Sequence, residues 1–142
     1  MQGTLRCSCD DKNVYFLVEV LDRSLLRGDY ATVYLSPDDS KSLANGAKRI
    51  QVSMDGLKST ETYAGKWNSA EMGVEVKTYV CNDTNEDRID NYGYIAEISI
   101  PRSSLTISSG QVLVNFSITD NKEEEAVSDV SSISRWIPVA GL

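Results

Sequence analysis

The sequence contains no histidine among its 142 residues. A chain without histidine cannot form a Ser-His-Asp or Cys-His nucleophile pair, and it cannot hold zinc or haem iron through imidazole. Any catalysis would have to rest on carboxylates, tyrosine, lysine or cysteine. The absence therefore excludes the histidine-dependent hydrolases, metalloenzymes and haem proteins.

Basic residues are also scarce, with 14 Lys and Arg against 21 Asp and Glu and a net charge of −7. Nucleic-acid binding needs clustered positive charge, so we expect no nucleic-acid partner. No apolar run reaches about 18 residues, so we expect no membrane span. The first five residues do not resemble a signal peptide, although a mature or excised domain would look the same. The length predicts one domain over residues 1–142.

Only three cysteines are present, Cys7, Cys9 and Cys81. In an extended segment, Cys7 and Cys9 share a face with Leu5, and their Cα atoms lie roughly 6.5–7 Å apart, at or beyond the limit for a disulfide. We expect small buried apolar side chains. A bond from Cys81 to one of the other two, or a metal site, is the alternative.

What the sequence does have is a succession of short runs in which apolar and polar residues alternate, as in half-buried strands. The runs are residues 13–21, 30–36, 48–54, 57–63, 72–81, 92–100 and 111–119, with a short last strand around Trp136. Residues 82–91 have a loop composition, and residues 122–133 are the longest helix candidate. About eight or nine short strands without helices between them predict an all-β fold, an antiparallel β-sandwich or jelly roll.

The alternation places a set of polar and aromatic side chains on the face that points away from the apolar core. The set is Tyr30, Thr32, Tyr34, Arg49, Gln51, Ser53, Asn115, Ser117 and Thr119. If the three strands are neighbours, the set forms one surface. It is either an ordinary solvated sheet face or a platform for a glycan, which needs a few placed polar groups beside an aromatic ring.

Four segments follow one another in an informative order and spacing. They are residues 10–22, residues 29–37, residues 94–105 and residues 110–120. The second contains Asp29-Tyr30-Ala31-Thr32-Val33, the third has a Tyr-x-x-Glu-x-x-Ile-Pro-x-x-x-Leu pattern, and the fourth ends in Asn-x-x-x-x-Asp. Together with Trp136 near the C-terminus, they resemble the family 9 carbohydrate-binding module, a β-sandwich attached to bacterial xylanases and related secreted enzymes. The segment that opens this family is absent, which suggests a fragment of a larger protein or a variant without one edge strand.

The resemblance implies a non-catalytic carbohydrate-binding domain of a secreted or cell-surface bacterial protein, attached to a glycoside hydrolase but not an enzyme itself. Its expected partners are a polysaccharide or oligosaccharide and the adjacent domains of the parent protein, and the expected state is a monomer. In sugar-binding members two tryptophans clamp a terminal sugar. Leu26 stands where one of them would be. The alternative is therefore a structural or spacer module that has lost sugar binding.

The resemblance also suggests site residues. Trp136 corresponds to the second clamp tryptophan, and Thr32, Gln51, Ser53 and Ser117 fall at the family's polar site positions. Trp67, in a loop-like setting, is either a replacement stacking platform or a hydrophobic plug. No pair of carboxylates stands out as a glycosidase acid and base.

Metal binding is the remaining expectation. Residues 83–94 begin like a calcium loop, but Arg88 and Tyr94 occupy positions where an EF-hand needs Gly and Glu. The family often binds structural calcium, which makes Asp22, Asp29 and Asp120 candidate ligands. We expect no required cofactor beyond such an ion.

Overall fold

Strands with regular alternation form where the sequence predicts them. The computed structural model describes residues 2–21, 29–38, 43–85, 88–107, 110–119 and 137–140. Within these ranges the strands are β1 (Gln2–Cys9), β2 (Asn13–Leu21), β3 (Tyr30–Ser36), β4 (Lys48–Ser53), β5 (Gly56–Tyr63), β6 (Trp67–Ser69), β7 (Glu75–Asn85), β8 (Arg88–Pro101), β9 (Gln111–Thr119) and β10 (Ile137–Ala140). A short 3₁₀ turn, Arg102–Ser104, follows β8. The described part of the chain is therefore almost entirely β-structure.

The strands form two antiparallel sheets. The four-stranded sheet has the order β1-β2-β8-β7, and the six-stranded sheet has the order β10-β9-β3-β4-β5-β6. Every pairing is antiparallel. The predicted all-β antiparallel sandwich is confirmed. In the described ranges, no helix is long and apolar enough to cross a membrane.

The core consists of the inward-facing residues of both sheets. Along β2 the buried positions alternate strictly, and Val14, Phe16, Val18 and Val20 are each at most 1% exposed. They join one apolar cluster with residues of β3, β4, β8 and β9. Each fully buried side chain of this size contributes about 1.5–3 kcal/mol, so the sandwich needs no disulfide.

The N-terminal segment forms an edge strand of the four-stranded sheet. β1 pairs with β2 over its full length, from Gln2 opposite Leu21 to Cys9 opposite Val14. The sheet thus has an edge strand before β2. Leu5, Cys7 and Cys9 are half-buried against the core, as their shared face predicts. All three cysteines lie in described strands as thiols, which excludes the alternative of a Cys81 disulfide.

Two short regions differ from expectation. Residues 82–91 have a loop composition, but β7 continues to Asn85 and β8 begins at Arg88, and the two strands stay paired up to Asn85 opposite Arg88. Pairing with a neighbouring strand overrides the turn-type composition there. Residues 67–69 form β6 rather than a loop, because their backbone pairs with the edge of β5. The helix candidate, residues 122–133, lies outside the described residues.

Gly93 occupies a close contact between β8 and β2. Its φ is +143°, and a Cβ added there would lie 1.8 Å from the carbonyl oxygen of Val20. The register of β7 against β8 shifts at the same place, between Cys81 and Asn82. Gly56, the first residue of β5, has φ +119°, but a Cβ added there would meet no atom within 4 Å.

We therefore predict that Gly93→Ala destabilises the fold by more than about 3 kcal/mol, the upper end for backbone strain alone, because a clash with backbone adds to the strain. Gly56→Ala carries the strain without the clash, and we expect it to cost about 1–3 kcal/mol. Urea unfolding of both variants measures the difference. Equal losses of unfolding free energy would contradict the close contact.

A second prediction concerns Cys7. Burial, and after it the neighbouring Cys9, raises the pKa of the Cys7 thiol from 9.0 to about 11. Because each pKa unit changes the thiolate fraction tenfold, the reactive fraction at pH 8 falls about 100-fold. Alkylation by iodoacetamide, followed by peptide mass spectrometry, should modify Cys7 far more slowly in the folded chain than in urea. The raised pKa also means that stability falls as the pH rises from about 9 towards 11.

Candidate functional site

β3 lies at the centre of the six-stranded sheet, between β9 and β4, and its register assembles the predicted polar face. Three rows cross these strands: Asn115–Tyr34–Arg49, Ser117–Thr32–Gln51 and Thr119–Tyr30–Ser53. The inference that the three strands are neighbours is confirmed. Thr32, Gln51, Ser53 and Ser117, which lie apart in sequence, come together in two adjacent rows. We call this surface the polar face.

The polar face is not an ordinary solvated sheet surface. Thr32 is 1% exposed, Tyr34 5% and Arg49 7%. Buried polar groups must find hydrogen-bond partners, and here many find them in one another. The Gln51 Nε2 atom donates to Thr32 Oγ1 over 3.4 Å, and the Ser59 hydroxyl on β5 donates to Gln51 Oε1 over 3.0 Å.

Arg49 and Glu61 form a two-pronged ion pair across β4 and β5. The Arg49 Nε and one terminal nitrogen each donate to a different Glu61 oxygen over 2.9 Å. Their side chains are only 9% and 17% exposed. Such parallel charge-assisted bonds fix both groups in orientation. The pair closes one end of the polar face.

Trp67 lies against this ion pair. The Arg49 guanidinium carbon is 4.4 Å from the indole centroid, a distance at which a cation is attracted to the ring face. Tyr63 meets the indole edge-on at 5.3 Å, and Tyr34 is tilted at 6.2 Å. We call Tyr34, Tyr63 and Trp67 the aromatic cluster. Leu43 and Leu113 pack against it.

The predicted loop-like setting of Trp67 is wrong, because the residue lies half-buried on β6, a strand that pairs with β5. Its Nε1 atom is buried and has no hydrogen-bond partner within the described part of the chain. A role as a sugar platform stays a prediction. For the face of the Trp67 ring that Arg49 covers, packing within the protein is the better-supported role.

Other groups of the polar face are also engaged. Burial raises the pKa of the Tyr34 phenol, while hydrogen bonding with Ser117 and the positive charge of Arg49 act in the opposite direction. The Lys58 ammonium lies 3.7 Å from the centroid of the Tyr30 ring. The Ser53 hydroxyl accepts a bond from the backbone N–H of Asp55 over 3.2 Å.

The candidate calcium ligands are only partly described. Asp29 is 1% exposed immediately before β3, and its charge adds to burial in raising the pKa of the Tyr94 phenol. Asp22, Asp120 and the proposed clamp residue Trp136 lie outside the described residues. In the ranges that are described, no three acidic or cysteine side chains are grouped so that they could hold a metal. The calcium site stays a prediction.

Sequence reasoning missed the Arg49–Glu61–Trp67 arrangement. Alternation alone puts Ser59, Glu61 and Tyr63 of β5 on one side of their strand, so their shared face is predictable from the sequence. What alternation does not provide is the partner strand. The pairing of Arg49 opposite Glu61 and of Tyr63 opposite Trp67 is set by long-range register.

Comparison with known proteins gives one informative similarity. The chain is 28% identical over 121 residues to Endo-1,4-beta-xylanase C of Paenibacillus barcinonensis. The aligned segment covers 84% of this chain and 10% of that protein. No family model matches the chain, and no solved structure matches it significantly. The chain spans about a tenth of that relative, and the similarity is that of a xylanase-associated domain.

We predict that Glu61→Ala destabilises the fold by about 1.5–3 kcal/mol, because the buried Arg49 loses both of its bonds to Glu61. Glu75→Ala is the matched control, since Glu75 is an exposed carboxylate at the start of β7 and its loss should change stability by less than about 0.5 kcal/mol. Urea unfolding measures each variant, and Glu61→Ala, Arg49→Met and the double variant Arg49→Met/Glu61→Ala complete a double-mutant cycle with the parent. A coupling energy near zero would show that the ion pair does not hold the polar face.

Proposed function

We propose that this chain is a non-catalytic carbohydrate-binding domain of a secreted or cell-surface bacterial protein that acts on glycans. The observation that carries the proposal is the polar face, where three rows of hydrogen-bonding side chains adjoin the aromatic cluster. The similarity to part of a xylanase supports a polysaccharide as the ligand class. Xylan is therefore the first polysaccharide to test.

The chemistry of the polar face suits a sugar. Sugar hydroxyl groups need oriented donors and acceptors, and the apolar faces of sugar rings stack on aromatic side chains. Ser117, Thr32 and Gln51 form the floor of the proposed site. Trp136, which directly precedes β10 in sequence, is the proposed stacking ring, and Trp67 is a second candidate.

The proposed role is binding rather than hydrolysis. Glycoside hydrolysis uses two carboxylates roughly 5–10 Å apart on either side of the bond. Glu61 adjoins the polar face from β5, and both of its oxygens accept bonds from Arg49. A binding domain instead raises the local substrate concentration for an adjacent catalytic domain of the same protein.

Structural calcium is part of the same proposal. Asp29 is a carboxylate buried at the start of β3, and Asp22 and Asp120 are its proposed co-ligands. If they bind calcium, chelation lowers the melting temperature of the parent but leaves that of Asp29→Asn unchanged.

A spacer module is the second candidate. Its support is that polar groups of the polar face already bond to one another, as in the pairs Arg49–Glu61 and Gln51–Thr32. Cations also lie over the rings of Trp67 and Tyr30. A domain selected only for stability would show the same features.

Affinity electrophoresis in gels that contain xylan, with calcium present, separates the two candidates. We predict that xylan retards the parent, that Trp136→Ala lowers affinity at least tenfold, and that Gln51→Ala lowers it about tenfold, or about 1.4 kcal/mol. Thr106→Ala is the control, because Thr106 is exposed outside the polar face and should bind like the parent.

Three results would weigh against parts of the proposal. If no plant, microbial or host glycan retards the folded protein, the spacer module is the better account. If Trp136→Ala binds as well as the parent, the assignment of Trp136 is wrong. If Gln51→Ala and Thr106→Ala behave alike, sugar does not bind on the polar face.

A further inference from the structure

The outer side of the four-stranded sheet carries a groove that the polar face does not explain. Its volume is about 670 Å³, within the roughly 300–1,000 Å³ typical of ligand sites. It crosses all four strands and lies on the side of the sheet opposite the core, since Tyr15 and Leu17 line it from positions that alternate with the buried Phe16 and Val18.

Two rows of directly opposed residues line the groove. One is Ser8–Tyr15–Ser99–Glu75, and the other is Arg6–Leu17–Glu97–Lys77. Each row spans three inter-strand gaps, about 14 Å at ~4.8 Å a gap, which is long enough for more than one sugar ring. The groove therefore has the shape for a chain-like ligand rather than for an ion.

The charged groups of the groove have no partner in the part of the chain that the structure describes. Within the described ranges, the side chains of Arg6, Glu75, Lys77 and Glu97 form no ion pair and no hydrogen bond. The polar face differs, because its charged side chain Arg49 is held by Glu61. These four charged side chains are open to a ligand without the loss of a bond to the described part of the protein.

Tyr15 provides an aromatic ring with a fixed position. Its hydroxyl donates to Asp10 Oδ2 over 2.6 Å, and the Asn13 amide donates to the same hydroxyl over 3.5 Å. This bond from Tyr15, followed by those from the backbone N–H groups of Asn13 and Lys12, lowers the pKa of the Asp10 carboxyl to about 2. In the described structure no cation and no second ring lies over Tyr15, in contrast to Trp67 and Tyr30.

The charges of the groove identify the kind of ligand. Arg6 and Lys77 balance Glu75 and Glu97, so the lining has no net charge. A polyanion would meet two carboxylates, and a polycation two cations. A neutral polyhydroxylated chain meets alternating donors and acceptors beside an open ring and an apolar Leu17 side chain.

From this shape, the unengaged polar groups and the charge balance, we propose that the groove is a second binding site, which takes a segment of a neutral oligosaccharide chain. The ligand class rests on the proposed function, but the site lies on the opposite sheet and uses none of the same residues. Two sites on opposite sheets would let one domain contact two chains of a polysaccharide, which raises avidity without tighter individual sites.

The test is ¹⁵N-NMR titration of the chain with neutral xylo-, cello- and manno-oligosaccharides. We expect amide shifts at Tyr15, Leu17 and Glu97 for at least one of them. Tyr15→Ala should lower the affinity reported by these amides at least tenfold, and Tyr15→Phe should retain most of it, because the ring remains. Glu97→Gln, which keeps shape, should weaken binding severalfold and guards against a folding defect in Tyr15→Ala.

Tyr79→Ala is the matched control, since Tyr79 is an exposed tyrosine on the same side of the sheet but outside the groove, and it should leave affinity unchanged. A doubly substituted Gln51→Ala/Trp136→Ala chain that still shifts the groove amides supports the groove independently of the polar face. Shifts confined to the polar face, with Tyr15→Ala binding like the parent, would overturn the groove and leave the proposed function intact. No shift at the groove amides with any of the three sugars would overturn the groove, and no shift on either sheet would also count against xylan as the ligand of the polar face.

Discussion

β3 is buried on both of its faces, and the rest of the structure depends on that constraint. Its inward residues Ala31, Val33 and Leu35 are in the apolar core, while its outward residues Thr32 and Tyr34 are at most 5% exposed. A polar group buried without a partner costs about 1–3 kcal/mol, so the outward side can be stable only if its neighbours supply hydrogen bonds. The strands on either side of β3 do so.

The consequences of this constraint spread across the six-stranded sheet. Gln51 forms hydrogen bonds with Thr32 and Ser59. Arg49, on the same side of β4, forms an ion pair with Glu61 and lies over the ring of Trp67. Because each of these hydrogen-bonded partners lies on the adjacent strand, the polar interactions help to select the register together with the core. A slip of one residue would turn Arg49 into the core and Ile50 out of it.

Regular alternation made much of the fold predictable. β2, β3 and β9 begin and end where their apolar period indicates, because each buries one side of a strand at least seven residues long. β6 has three residues, too few to show a period. The shared face of Thr32, Gln51 and Ser117 followed from the sequence. Its burial and the partner of Arg49 did not, since both depend on which strands pair.

The outward sides of the two sheets differ in burial and in how far their polar groups are engaged. On the polar face, the buried donors and acceptors must be satisfied within the protein, and this fixes their positions. Fixed side chains lower the entropic cost of binding a ligand, but few of these groups remain to form hydrogen bonds with it. The outer side of the four-stranded sheet is open, so Arg6, Lys77, Glu75 and Glu97 can exchange bonds with water for bonds with a ligand. Tyr15 is held in place there by its bond to Asp10. A sugar on the polar face would therefore gain from preorganisation, whereas a sugar in the groove would gain from unengaged polar groups and one fixed ring.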